Sequence, residues 1–299
     1  MERSYENLKD RLTENAQRVE AALSGYLDKT DEHYGVIFDA ERYSLLAGGK
    51  RIRPFLVNEC ARVLGASEEQ SMPLACAVEM IHTYSLIHDD LPCMDDDDMR
   101  RGSPTNHKKY GEAFALLAGD ALLTNAFRVI GEADGLDGNT RAAAVTALAT
   151  AAGDCGMIGG QVIDLTGESQ SLDFETLIKL HAHKTGALIR VSALLGCLAA
   201  GYDANHPTSK KLLRYAEGIG LAFQVIDDIL DVTSTEAELG KPIGSDAHSN
   251  KTTFLSFYTI EKAKAFAEQL TAEAMSEISD LDGSETLTDL ACYLLDRKS

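Results

Sequence analysis

The chain of 299 residues has no tryptophan and only six prolines, and aromatic residues make up 6% of it. Scarce proline leaves few forced helix breaks, and β-branched alternation is equally sparse, so no strand-rich section is expected. The six cysteines (Cys60, Cys76, Cys93, Cys155, Cys197, Cys292) form no CxxC pair and have no finger spacing. They read as reduced, mostly buried thiols of a cytoplasmic protein. Basic residues are the scarce charge, 28 Lys and Arg against 47 Asp and Glu, for a net charge of −19. Nucleic acid is thereby excluded as a partner, because binding it requires a basic face that displaces counterions. The longest apolar run, 191–201, is too short to span a bilayer. The charged, amphipathic N-terminus MERSYENLKDRL reads as neither signal nor transit peptide. A soluble intracellular chain without membrane insertion is expected. Also missing are the P-loop of an NTPase, the GxGxxG of a dinucleotide enzyme and the GxSxG of a hydrolase.

What is present is helix-forming sequence, rich in Ala, Leu and Glu between short breaks near 47–54, 91–104, 131–139, 167–173, 201–207 and 234–251. The expectation is one all-α domain over 1–299, a helical bundle. Three helical stripes carry polar residues where apolar ones belong. They are Ala75, Val78, His82, Ser85 and Asp89; then Leu177, Lys184, Leu188, Val191, Leu195 and Leu198; then Gly220, Gln224, Asp227 and Asp231. Acids, a lysine and a glutamine turned inward imply a polar cavity, since unpartnered buried charge is too costly to persist.

Two acid clusters carry the chemistry. In the first, Asp89-Asp90 is followed by Asp95 to Asp98 and then Arg100-Arg101, with Pro92 forcing the chain out of the helix so that Asp95 swings back toward Asp89. Gathered carboxylates repel unless a hard divalent cation is shared among them, and Mg²⁺ is such a cation. The second, Asp227-Asp228 with Asp231, lies inside an unbroken apolar helix, where a solvated face is the weaker explanation. Anion-binding groups complete the set. Gly48 to Pro54 is a basic turn carrying Lys50 and Arg53, with Pro54 expected at the first position of the next helix. Arg100 and Arg101 offer forked donors, and Lys184, Thr185, Lys241 and Lys251 add more. Mg²⁺, diphosphate and an apolar interior together describe a diphosphate ester of a hydrocarbon.

The blocks GGKRIRP, HTYSLIHDDLPCMDDDDMRRG, GGQVIDL, HKTGALI and FQVIDDILD resemble, in order, those of trans-polyprenyl diphosphate synthases, from about Leu46 to Lys251. The resemblance implies a homodimeric helical bundle around a central cavity, with the Asp-rich motifs on opposing walls. It places isopentenyl diphosphate on Lys50, Arg53, His82 and Arg101. The allylic diphosphate falls to Arg100, Lys184, Thr185, Gln224 and Lys241, with Lys251 assisting. It gives the metal to Asp89, Asp95 and Asp227 (three Mg²⁺ ions with substrate bound, Mn²⁺ able to substitute), with Asp90, Asp164, Asp228, Asp231 and Asp246 nearby. Asp89, Asp95, Arg100, Lys184 and Asp227 are then the catalytic set, and His88 is structural. Ionisation, condensation and elimination follow, with Phe223 and a kink at Gly186 beside the allylic cation, and a lid formed by 241–251 with Arg297 and Lys298. Chain length rests on Tyr84 and Ser85, one helical turn before Asp89. A bulky Tyr84 resembles farnesyl diphosphate synthases, with a geranylgeranyl synthase as the alternative. The insertion containing Pro92 and Cys93 is shared by bacterial farnesyl and plant-type geranylgeranyl groups. Pro242 and Asn250 depart from the family's loop pattern. A terpene cyclase would not need the Lys50–Arg53 turn, and a Ca²⁺-binding or inactive subunit would have one cluster disabled.

Overall fold

The computed structural model describes residues 5–233 and 251–297. Helix follows helix: α1 (Glu6–Tyr26), α2 (Gly35–Leu45), α3 (Ile52–Val63), α4 (Glu68–Asp89), α5 (Asn106–Tyr110), α6 (Glu112–Gly131), α7 (Gly138–Ala152), α8 (Met157–Gly167), α9 (Phe174–His181), α10 (Ala187–Ala199), α11 (Pro207–Thr233), α12 (Ile260–Glu277) and α13 (Glu285–Leu295). Starts follow capping chemistry. Asp137 and Asp173 accept from Thr140 N and Thr176 N at 2.9 and 2.8 Å. Ser67 and Gln70 form a capping box, so α4 begins at Glu68, ahead of the stripe that starts at Ala75. Pro54 stands third in α3 rather than first, because Ile52 opens the helix. It still sacrifices no bond there, since the first four N–H groups of a helix lack an intrahelical acceptor.

α10 is apolar on every side, and accordingly everything from Val191 to Ala199 is buried. It packs against α3, α4, α7 and α11, while α4 packs against α3 and α6, and α11 against α12. Gly196 lets α10 press onto α3, because a Cβ there would stand 2.5 Å from the Val57 carbonyl oxygen. A smaller apolar cluster gathers Phe254 with Leu177, Val225, Ile226 and Ala263 beneath the second acid motif.

Two features were not expected. Met99–Arg100 and Ser103–Pro104 pair as a minimal antiparallel hairpin, β1 and β2. Its central residues Arg101 and Gly102 have φ of 52° and 76°, the left-handed requirement of a type I′ turn. The second is that Glu112–Gly131 and Gly138–Gly167 are long and apolar enough, by composition, to cross a membrane. The latter span is broken between Ala152 and Met157 into α7 and α8, and the former buries Ala115, Ala118 and Leu122 on one side. Phe114, Leu116 and Leu117 on α6, with Ile158, Val162 and Leu165 on α8, remain exposed.

Candidate active site

The first acid motif begins where α4 ends. The Asp95 N–H donates to the Asp89 carbonyl at 2.8 Å, so the turn after Pro92 does bring Asp95 back to Asp89. Burial pushes the Asp89 carboxyl up to about 6, and the like charges of Asp95 and Asp90 push the same way against Lys184 and Arg100. Asp90 is buried and already partnered. Arg100 Nε stands 2.8 and 3.0 Å from its two oxygens and Arg100 Nη2 is 2.6 Å away. Arg100 is therefore anchored to the acid motif itself, with a third of its side chain still exposed.

The second acid motif lies on α11. Gln224 Nε2 donates to Asp227 Oδ2 at 3.1 Å, and Thr185 Oγ1 donates to Gln224 Oε1 at 3.2 Å. Asp228 is turned away and accepts from Phe254 N at 2.7 Å; Asp231 is buried. Thr185 and Lys184 sit on a π-helical turn, Ala182–Gly186, between α9 and α10. The kink expected at Gly186 takes this form, and such turns recur at functional sites. Lys184 Nζ is 2.5 Å from Asp164 Oδ2 on α8, with Lys251 Nζ 3.5 Å from the same oxygen. Burial works to raise the Asp164 carboxyl, but the two ammonium groups outweigh it and hold it below its ordinary range.

Lys50, Arg53, His82 and Arg101 line one cavity of about 200 Å³ with Phe223, Tyr293 and Arg297. Arg53 Nε is buried with no partner among the described residues, an orphaned donor aimed at an anion's place. Burial, followed by Arg53, Arg101, Arg100 and Arg51, drives the His82 pKa well below its ordinary value, so His82 offers a neutral hydrogen bond. Beneath them Arg51, left-handed with φ 49°, closes a buried network to Glu79 at 2.6 Å, Glu20 at 3.0 Å and the Leu45 carbonyl at 2.7 Å. Arg101 donates to the Gly48 carbonyl, and its guanidinium would lie only 3.1 Å from a Cβ added on Gly49. Among the described residues, Arg51, Asp96 and Arg101 are the non-glycine residues with positive φ; Arg51 and Arg101 line this cavity and Asp96 belongs to the first acid motif.

The walls are oxygen donors, as a hard cation requires, and the burdened Asp89 carboxyl is what such a cation relieves. Asp89, Asp95 and Asp227 do not form a group with ligand atoms within 4.8 Å of one another. Among the described residues, the group with ligand atoms within 4.8 Å is Asp96, Asp98 and His107, and Asp98 already pairs with Lys108 at 2.7 Å. Lys241, Asp246 and Lys298 lie outside the described residues. Arg297, expected in a lid, is instead nine-tenths buried and bound to Asp227.

A family model for polyprenyl synthetase matches residues 36–287. The chain belongs to the polyprenyl synthetase family. It is 48% identical over 255 residues to a farnesyl diphosphate synthase of Geobacillus stearothermophilus, covering 85% of each. It is 47% identical over 293 residues to a chloroplastic geranylgeranyl pyrophosphate synthase of Capsicum annuum, covering 96% of this chain and 78% of that one. An FPP/GFPP synthase from Zymomonas mobilis, at 36% identity, superposes with a TM-score of 0.87 over 97% of this chain and 99% of its own. Prenyl transfer is therefore the chemistry this polyprenyl synthetase site serves, and the family's all-α fold is the one observed.

Two residues near the site, Gly160 and Glu79, were not singled out from the sequence. Gly160 of α8 abuts the π turn so closely that a Cβ would meet Lys184 N at 2.2 Å. The only signal was the Gly159-Gly160 pair in GGQVIDL. Glu79, buried under the basic turn, had no local signature, and the pairing of Arg297 with Asp227 had none either, because each acts across a large sequence separation.

Proposed function

We propose that the chain condenses isopentenyl diphosphate with dimethylallyl and geranyl diphosphates to give (2E,6E)-farnesyl diphosphate. Lys184, Arg100, Thr185, Gln224, Lys241 and Lys251 hold the allylic diphosphate, and Lys50, Arg53, His82 and Arg101 hold isopentenyl diphosphate. Asp89, Asp95 and Asp227 hold the metal. Mg²⁺ when bound supplies Lewis-acid withdrawal of charge from the leaving diphosphate. The cationic side chains stabilise that departing charge in a site screened from water. Phe223 flanks the allylic cation, the isopentenyl double bond attacks it, and the proton lost goes to the released diphosphate, so no side-chain base is required.

The product length rests on Tyr84. It is 5% exposed and stacks edge-on against His88, with ring centroids 5.6 Å apart. His88 Nε2 lies 3.0 Å from the Leu116 carbonyl, and its ring fills the space that a Cβ on Gly119 would occupy. This stiff aromatic pair supports a floor under Asp89 that stops growth at fifteen carbons. This packing supports the reading of His88 as structural. Geranylgeranyl synthesis is the second reading, favoured by the small neighbour Ser85, whose hydroxyl turns back to the His82 carbonyl at 2.9 Å. It is equally compatible with the relatives, whose names divide between the two products. Radiolabelled products from isopentenyl and geranyl diphosphates, separated by chain length, decide between them. Mainly C20 product refutes the farnesyl assignment, and no product refutes elongation. The Tyr84→Ala variant is expected to lengthen the product; an unchanged distribution removes Tyr84 as the floor.

We read the whole of 1–299 as one synthase domain acting in the cytoplasm as a homodimer. The exposed apolar faces of α6 and α8 support a second copy as their cover, rather than lipid.

A further inference from the structure

We propose that Arg297 is a place-holding cation on Asp227, released toward the isopentenyl diphosphate cavity when a divalent ion takes that carboxylate. The inference rests on the proposed metal role of Asp227 and the proposed occupant of the cavity. Arg297 follows the end of α13, and its side chain is 9% exposed. Its Nη2 donates to Asp227 Oδ1 and, at 3.1 Å, to the Phe223 carbonyl. The guanidinium carbon stands 3.9 Å from the centroid of the Phe223 ring, so the group is stacked as well as paired. Asp227 Oδ2 accepts from Gln224, leaving Oδ1 as the position a cation takes, and Arg297 holds it.

Arg297 also lines the cavity shared by Lys50, Arg53 and Arg101. Another cation among those is repelled unless a carboxylate restrains it, and Asp227 is that restraint. The Asp227 side chain is 43% exposed, so an ion reaches it without disrupting the bundle. Once Asp227 is neutralised by the ion, Arg297 keeps its seat on Phe223 but loses its anion. A diphosphate entering the cavity is then its new partner. Arg297 Nε, buried and unpartnered among the described residues, is a further donor available to that diphosphate. Metal occupancy at the allylic side thus strengthens the site for the second substrate and favours binding in that order.

Binding of Mn²⁺ to the purified, diphosphate-free chain, followed by the electron paramagnetic resonance of free Mn²⁺, tests this. The Arg297→Gln variant is expected to bind Mn²⁺ roughly fivefold more tightly. Its KM for isopentenyl diphosphate is expected to rise about tenfold, as for a lost charged hydrogen bond, with the KM for geranyl diphosphate within about twofold of wild type. Arg297→Lys should lie between the two on both measures. In an Asp227→Asn background the Arg297→Gln gain in Mn²⁺ affinity should vanish. Unchanged Mn²⁺ affinity in Arg297→Gln, or a gain that persists without Asp227, overturns the place-holder while leaving the metal site standing. Unchanged Mn²⁺ binding in Asp227→Asn alone overturns the metal role of Asp227, and this inference with it.

Discussion

Gly160→Ala isolates how one close approach sets the catalytic geometry. Gly160 faces the backbone of the π turn, and its added Cβ would lie 2.2 Å from Lys184 N, 2.6 Å from Lys184 Cα and 2.9 Å from His183 C. An ordinary carbon contact is about 3.5 Å, so α8 and the turn must separate by about 1.3 Å. No flexible side chain can absorb this, because all three atoms are backbone. That displacement acts on the segment holding Lys184 to Asp164 at 2.5 Å and Thr185 to Gln224 at 3.2 Å. Overpacking costs about 1–3 kcal/mol of stability, and a misplacement of about 1 Å in a reacting constellation costs on the order of a hundredfold in rate. The expected outcome is a melting temperature lower by several degrees and a kcat reduced about a hundredfold when measured well below melting. Gly138→Ala, where a Cβ meets nothing within 4 Å, should leave both unchanged. A Gly160→Ala variant with turnover within twofold of wild type would refute the reasoning.

Asp89→Asn should abolish turnover yet stabilise the metal-free chain at pH 7.5, by no more than about 3 kcal/mol in denaturant unfolding. The folded-state value of about 6 lies above the ordinary carboxyl value, so the contribution of Asp89 to wild-type stability falls as pH rises from about 4 to 6 and stays low above that window. The gap between variant and wild type must therefore close near pH 4, and a gap independent of pH contradicts the assignment. Glu79→Gln leaves Arg51, whose side chain has no exposed surface, with Glu20 alone as its acidic partner, and should cost about 3 kcal/mol in urea unfolding. A loss under about 0.5 kcal/mol would show the network is not needed for stability. Asp227→Ala should lose most turnover while melting within a few degrees of wild type, because its side chain is 43% exposed. Near-normal activity there removes the second acid cluster from the metal site.

The all-α class, the two acid motifs and the basic turn were legible in the sequence because each is written over a short span. Apolar spacing declares a helix, Pro92 declares the turn that returns Asp95 to Asp89, and two glycines precede Lys50. The five ordered blocks extended that reading to prenyl transfer, where residue chemistry alone stops at Mg²⁺, diphosphate and an apolar interior. Only the tertiary structure decided which charges are occupied. Arg51 went to Glu79 and Arg100 to Asp90, while Arg53 kept an unpartnered donor at the cavity and Arg297 took Asp227. Except for Arg100, which pairs only ten residues back in the chain, those outcomes depend on distances between elements far apart in sequence, and on burial, which makes an unpaired charge costly and so selects its partner. Local sequence specifies that a charge is present; packing determines whether it is structural or left available to substrate.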